Sequence, residues 1–185
     1  MQATMHIAQT GLAAMTGEGP HPGLEQVFLS HKDLVFRAAY RITGSASDAE
    51  DVLQTVFLRL ARQGSFTEVS NIPGYLRRSA VNASLDLLRG RKNAEVSLDA
   101  DPNQVYAASP DTAGRAVELR DWLRQALARL NPRWAEMFVL RFVEDLSNRE
   151  IAGMMKTSPA VVAVLLHRTR AQLKRDFKAL TRGRR

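Results

Sequence analysis

The sequence contains no cysteine, which excludes disulfide frameworks, cysteine-ligated zinc and thiol catalysis. Histidines are few and lie far apart in the chain, without the spacing of metal ligands. Nucleophile–base pairs and glycine-rich phosphate loops are also missing. We therefore predict no catalytic residues, no metal and no other cofactor, and a protein that is not an enzyme.

Long apolar runs are missing as well. No stretch approaches the roughly 18 residues that a membrane-spanning helix needs. Residues 1–23 lack the basic start and continuous apolar stretch of a signal peptide. These absences predict a cytoplasmic protein without membrane insertion. The glycine, proline, threonine and glutamine content of residues 1–23 is typical of a disordered leader.

Strand-like alternation is absent, and almost every periodic stretch has helical spacing, which predicts an all-α fold. Ser47 is predicted to cap the second helix, with Glu50 completing a capping box. A segment near the middle of the chain contains four acids and two prolines but no lysine or arginine. We predict two small helical domains, residues 24–92 and 116–185, joined by a flexible acidic linker over residues 93–115.

The chain carries a net charge of +7 and its basic residues cluster at the end of each predicted domain. This arrangement favours a polyanionic partner gripped at two points. In the second domain, Ser147 with Glu150 and Ser158 with Pro159 are start signals for two consecutive helices. Such a pair predicts a helix-turn-helix unit, although a plain helical hairpin has the same pattern. The buried stripe of its second helix is predicted to be Val162, Leu166, Thr169, Leu173 and Phe177.

Both halves of the sequence resemble the extracytoplasmic-function sigma factors of RNA polymerase. The run D-A-E-D-V-L-Q-T-V-F-L-R-L, residues 48–60, is similar to the family segment that binds the coiled coil of the polymerase β′ subunit. The resemblance implies a polymerase-binding surface, and its acids suit the first turn of a helix. The residues assigned to that surface are Asp48, Asp51, Gln54, Phe57 and Leu58. Placement of Phe57 in the core is the alternative.

The run P-G-Y-L-R-R-S-A-V-N-A-S-L-D-L-L-R-G-R, residues 73–91, resembles the promoter-melting helix of the family. The resemblance implies that this helix and the loop before it hold the −10 element as a single strand with one base flipped out. The residues assigned to this role are Arg77, Arg78, Asn82 and Arg89. Tyr75 or Phe66 would stack on a base. Two alternatives stay open: in one, Arg89 pairs with Asp86 within the helix, and in the other, Tyr75 and Phe66 are core residues.

The second half resembles the family domain that reads the −35 element, most closely in A-R-L-N-P-R, residues 128–133. The residues assigned to −35 binding are Arg149, Ser158, Val161, Val164, Leu165, His167, Arg168 and Arg170. Two features depart from the family pattern. Lys156 stands where glycine usually permits the turn, so strained backbone is expected there. The groove-facing side of the second helix is unusually apolar, which favours either contacts with thymine methyls or packing on another helix.

The resemblance implies a sigma factor that melts the −10 element with one domain and reads the −35 element with the other. The expected partners are core RNA polymerase, through the β′ coiled coil and the β subunit, promoter DNA, and an anti-sigma factor as a further candidate. Two rival interpretations are a stand-alone helix-turn-helix regulator and a helical adaptor. The regulator would leave the two matches in the first half unexplained, and the adaptor predicts no promoter-specific transcription.

Overall fold

The computed structural model describes residues 23–63, 71–97 and 112–182, and all the secondary structure in these ranges is helical. The predicted all-α fold is therefore confirmed. Its helices are α1 (Leu24–Thr43), α2 (Ala46–Arg62), α3 (Ile72–Ser97), α4 (Thr112–Arg129), α5 (Pro132–Phe142), α6 (Asn148–Met154) and α7 (Pro159–Arg182).

The first three helices form the N-terminal half, in which each helix packs on the other two. Their apolar stripes meet in one core, built by Val35, Ala38, Ala39, Val52, Val56, Leu60, Leu76 and Ala80 among others. Phe28 is partly exposed, but its ring meets the ring of Phe57 edge-on at a centroid distance of 4.9 Å. Helical periodicity is enough to identify this core because every helix buries one face.

The start of α2 differs from the prediction. Ser45, not Ser47, is the N-cap: its backbone is extended, and its hydroxyl accepts a hydrogen bond from the backbone N–H of Asp48 at 3.3 Å. Gly44 ends α1 in the left-handed conformation (φ 72°), so only Gly44 and the N-cap Ser45 separate the two helices. Ser47 consequently lies inside the first turn of α2, where its hydroxyl cannot cap the helix.

The helices extend into the predicted linker from both sides. Helix α3 runs to Ser97 and α4 begins at Thr112, so the predicted bounds of 93–115 are too wide at each end. Neither glycine nor proline follows Gly90 before Ser97, and an acidic composition alone does not stop a helix that is already formed. Residues 98–111 lie outside the described residues, as do residues 1–22, so the flexible linker and the leader stay predictions.

In the C-terminal half, the predicted capping box is confirmed. The Ser147 hydroxyl accepts from the backbone N–H of Glu150 at 3.2 Å, and the Glu150 carboxylate accepts from the Ser147 backbone at 2.8 Å. Ser158 caps α7 and Pro159 occupies its first position. Lys156, in the turn between α6 and α7, has a φ of 49°, the strained conformation expected where a side chain replaces glycine.

The predicted buried stripe of α7 is confirmed for four of its five positions. Val162, Leu166, Thr169 and Leu173 are buried, and Phe177 is partly exposed. The Phe177 ring nevertheless packs edge-on against Trp122 of α4, with ring centroids 5.0 Å apart. The long C-terminal helix is thus tied to the start of its own domain.

The two halves also pack against each other, which nothing in the sequence indicated. Helix α3 contacts α4, α5 and α6. Ile42, Val81, Leu85 and Leu88 from the N-terminal half belong to the same apolar core as the C-terminal helices. We call these four side chains, with the C-terminal core that they join, the apolar seam. Arg124 of α4 adds a polar contact by donating from Nε to the carbonyl oxygen of Ile42 at 3.2 Å.

Candidate nucleic-acid and polymerase interfaces

The predicted −10 residues of α3 face acidic side chains of the C-terminal half. Arg78 donates from Nε to Oε1 of Glu136 at 2.6 Å, and the Asn82 amide donates to the same oxygen at 3.1 Å. A second guanidinium nitrogen of Arg78 reaches the carbonyl oxygen of Met154 at 2.8 Å, at the end of α6. Because residues four apart share one face of a helix, Arg78 and Asn82 act together on one carboxylate.

Arg77, the residue before Arg78, makes a longer ion pair without a hydrogen bond. Its Nε lies 3.4 Å from Oε2 of Glu144, and Arg41 of α1 lies 3.4 Å from the other carboxylate oxygen. The side chains of Glu136 and Glu144 are only 8% and 4% exposed. A carboxylate withdrawn from water to this degree is tolerated because cationic or amide donors replace its hydration.

Neither Glu136 nor Glu144 was predicted from the sequence as a site residue. Glu136 lies between Ala135 and Met137, which are both fully buried, so a charged residue interrupts the core-facing side of α5. A lone carboxylate at a core position requires a buried partner. That signal was available in the sequence, but the identity of the partner was not.

Arg89, the fourth predicted −10 residue, is paired within its own helix. It donates to Asp86 at 3.1 Å, the i,i+3 pair that the sequence left open as an alternative. Arg78, Asn82 and Arg89 nevertheless border one open cleft of about 520 Å³ between α3 and α5. Tyr75 packs against the N-terminal core and donates its hydroxyl to Gln63 at 3.1 Å. Phe66 lies outside the described residues.

The predicted polymerase-binding residues of α2 fall into an exposed group and a buried group. Asp51, Gln54 and Leu58 are exposed and lie on one face of the helix, at spacings of three and four residues. Phe57 is buried in the core, as the alternative interpretation held. Asp48 is also buried and pairs with Arg91 of α3, so it would have to leave that arginine to meet a partner.

On α7, most of the predicted −35 residues are exposed. Val161 and Val164 are 43% and 50% exposed, and His167, Arg168 and Arg170 are also exposed, as is Arg149 of α6. Leu165 differs, because it is half-buried and packs against the C-terminal core. Val161, Val164 and Leu165 together line a shallow groove whose wall is almost wholly apolar. Ser158 is exposed, and its hydroxyl serves as the cap of this helix.

One carboxyl group of the helix-turn-helix has a shifted acidity. The hydrogen bond from the Ser147 hydroxyl at 2.6 Å, helped by the Ser147 backbone N–H, lowers the pKa of Glu150 below its ordinary value of 4.5. Both bonds favour the charged carboxylate, which also suits the first turn of a helix. The Glu150 carboxylate thus forms the second half of the capping box at the start of α6.

Across the described ranges, no group of three or more histidine, aspartate or glutamate side chains has the geometry to hold a metal ion. None of the helices in these ranges combines the length and apolar character required to cross a membrane.

Comparison with known proteins identifies both halves. Residues 27–94 match the family model of sigma-70 region 2, and residues 120–173 match that of sigma-70 region 4. The ECF RNA polymerase sigma factor SigE of Mycolicibacterium smegmatis is 32% identical over an alignment that covers 92% of this chain and 68% of the relative. The RNA polymerase sigma-E factor of Streptomyces coelicolor is 31% identical, with 84% and 86% covered.

Another relative, the ECF RNA polymerase sigma factor SigW of Bacillus subtilis, is 26% identical over 81% of this chain and 86% of its own length. Among solved structures, the sigma factor RpoE in complex with the anti-sigma factor NepR from Bartonella quintana is 22% identical. That match covers 83% of this chain and 96% of the other, with a TM-score of 0.49. From its two domain matches and its relatives of 31% and 32% identity, the chain belongs to the extracytoplasmic-function sigma factors of the sigma-70 family, which direct transcription initiation.

Proposed function

We propose that this sigma factor binds core RNA polymerase through α2, opens the −10 element with α3 and reads the −35 element with α6 and α7. The observation that carries the proposal is the set of donors that α3 directs toward the C-terminal half. Arg77, Arg78 and Asn82 all point toward anionic oxygens, which are the groups that a DNA strand would offer in their place.

For polymerase binding, the exposed face of Asp51, Gln54 and Leu58 supplies one acid, one amide and one apolar side chain. A mixed surface of this kind suits a partner helix such as the β′ coiled coil. We also propose a contact of the C-terminal domain with the β subunit. Synthesis of RNA itself would belong to the polymerase.

For the −10 element, Arg77 and Arg78 would neutralise phosphates, and Asn82 would hydrogen-bond to the edge of an unstacked base. Arg89 is already paired with Asp86, whose side chain is well exposed. Since an exposed ion pair of this type contributes little stability, Arg89 can exchange its partner for a phosphate at small cost.

For the −35 element, Val161 and Val164, which are exposed, would touch thymine methyl groups in the major groove, and Arg168 and Arg170 would contact flanking phosphates. The competing explanation was that this apolar face packs on another helix. Among the described residues it holds for Leu165 alone, because both valines remain exposed. An anti-sigma factor is a further partner that this surface or α2 would suit.

The experiment combines the purified chain with core RNA polymerase and sequences the transcripts initiated on fragments of genomic DNA. We expect initiation at a small set of promoters that core enzyme alone does not use. A stand-alone regulator would instead bind duplex DNA tightly without polymerase and would produce no new start sites. Absence of chain-dependent start sites would contradict the proposed function.

A further inference from the structure

We infer that Phe142, the last residue of α5, is a positioning residue for −35 binding, because its ring holds the guanidinium of Arg170 in place for a DNA phosphate. The inference rests on the proposed function of α7. Phe142 is not among the residues predicted to bind DNA, and it is 47% exposed. Cζ of Arg170 lies over its ring at 5.6 Å from the ring centroid, which is the distance of a cation–π contact.

The ring of Phe142 is itself held by the domain. It meets the ring of Phe138, one turn earlier in α5, at a centroid distance of 4.8 Å, and Phe138 packs against the C-terminal core. A row of contacts therefore runs from the core through the two rings to Arg170. An ordinary surface arginine samples many rotamers, but the guanidinium at the end of this row has a defined place.

The ring contact keeps the charge of Arg170 available to a ligand. An aromatic ring attracts the guanidinium through its π electrons and carries no negative charge, so it holds the cation without neutralising it. A carboxylate would instead use the N–H donors and cancel the charge, as Asp86 does for Arg89. None of the ion pairs found among the described residues involves Arg170.

Arg141 has the same aromatic neighbour but a different role. Its Cζ lies 6.0 Å from the centroid of Phe142, and its guanidinium donates to the carbonyl oxygen of Leu146 at 3.2 Å. The donors of Arg141 thus secure the turn after α5. Its charge, only partly balanced by the highly exposed Asp145 at 3.4 Å, adds to that of Arg170. Two cations beside one ring favour an anionic ligand at this corner of the domain.

Preorganisation explains how an uncharged side chain affects DNA binding. An arginine that is already held loses less conformational freedom when it meets a phosphate. Arg170 lies on the side of α7 that faces Phe142, whereas Val161 and Val164 lie on other sides of the helix. We therefore assign Arg170 a phosphate rather than a base. Loss of the ring should weaken DNA binding through Arg170 alone.

The experiment measures the affinity of the holoenzyme, assembled from the full chain and core polymerase, for a fluorescein-labelled duplex promoter by fluorescence anisotropy. We expect Phe142→Leu to weaken binding about threefold, as for an exposed cation–π contact. Arg170→Gln should weaken it about tenfold, as for a hydrogen bond to a charged group. Because both changes remove one contact, Phe142→Leu should have no further effect in the Arg170→Gln background. Phe142→Tyr keeps the ring and should bind as the parent does.

Two controls distinguish this coupling from a general loss of packing. Arg168→Gln removes another proposed phosphate contact that lies elsewhere on α7, so its effect should multiply with that of Phe142→Leu. Phe177→Leu removes a partly exposed ring that packs on Trp122 instead of an arginine. This second control should leave the affinity for the promoter close to that of the parent.

An equal effect of Phe142→Leu in the parent and in the Arg170→Gln background would overturn the inference. Full binding by Phe142→Leu, or binding by Phe142→Tyr as weak as by Phe142→Leu, would overturn it as well. Circular dichroism checks that the variants keep their helices. Should Phe142→Leu lose helicity, Phe142→Met takes its place in the same cycle. Failure of the proposed function would appear differently, since neither Arg168→Gln nor Arg170→Gln would then change promoter binding.

Discussion

A substitution at Asp51 should separate the proposed polymerase binding from DNA binding. It is exposed on α2, and none of the ion pairs found among the described residues involves it. We expect Asp51→Arg to leave the protein folded and to abolish co-purification with core polymerase, because the charge on the contact face is reversed. Asp33→Arg, the same change at an exposed position of α1, is the control and should co-purify normally. Retention of core binding by a folded Asp51→Arg protein would contradict the assignment.

Asn82 tests the melting role of α3. We expect Asn82→Ala to reduce open-complex formation on duplex promoters, measured by permanganate reactivity of unpaired thymines, because the amide that contacts a base edge is lost. Comparison with a template already unpaired at −10 assigns the step: a loss on both templates means base reading, and a loss on the duplex alone means strand opening. Asn93→Ala, an exposed asparagine later in α3, is the matched control. Normal open complexes on both templates would refute the role of Asn82.

Ser147 gives a stability test with a defined pH dependence. Loss of the capping hydroxyl in Ser147→Ala should reduce the free energy of unfolding by about 1 kcal/mol at pH 7, measured by urea denaturation. The hydrogen bond lowers the pKa of Glu150 in the folded state below 4.5. Its contribution is therefore present above pH 4.5 and is lost as the pH falls through the folded-state pKa. The gap between variant and parent should narrow in acid, and a gap independent of pH would contradict the capping-box account.

At the scale of single helices, local signals predicted much of what the structure contains. Ser147, Ser158 and Pro159 were placed correctly because a cap needs only its own residue and the next turn. The cap of α2 was misplaced by two residues, since Ser45 and Ser47 are chemically equivalent and only the position of Gly44 decides between them. Asp48 was predicted to be on the surface, because a carboxylate near a helix start usually is. Its pairing with Arg91, 43 residues away, has no local signature.

The exposed valines of α7 allow a test of base reading by this helix. Replacing −35 thymines by uracil removes only the methyl groups, and we expect transcription to fall about fourfold per contacted methyl, from about 0.8 kcal/mol for each buried carbon. Val164→Ser should reproduce the fall on normal DNA, while Val117→Ser, at an equally exposed valine of α4, should not. Equal transcription from the thymine and uracil templates would exclude methyl reading.

For the whole molecule, the relation between the two halves was beyond the reach of the sequence. Leu85 and Leu88 lie on an apolar stripe of α3, and such a stripe does not reveal which neighbouring helix covers it. Three of the side chains predicted for promoter DNA, Arg77, Arg78 and Asn82, lie where α3 meets the C-terminal half. The pairing of these side chains with Glu136 and Glu144 joins residues more than 50 positions apart in the chain, and helical periodicity contains no information about such contacts.

The apolar seam makes the contact between the two halves sensitive to temperature. Burial of apolar surface becomes less favourable on cooling, and the cost of dehydrating ionised groups such as Glu136 becomes larger. Both changes weaken the contact between the two halves in the cold, so the fraction of chains in which the halves are separated should rise as the temperature falls. Spin labels on Ser30→Cys of α1 and Ala163→Cys of α7, both exposed, would report the distance between the two halves. We expect the distribution of this distance to be broader in samples equilibrated at about 4 °C than at about 30 °C, whereas ordinary thermal motion would broaden it on heating. The contact between the two halves would then be tightest in warm solution and loosest in the cold.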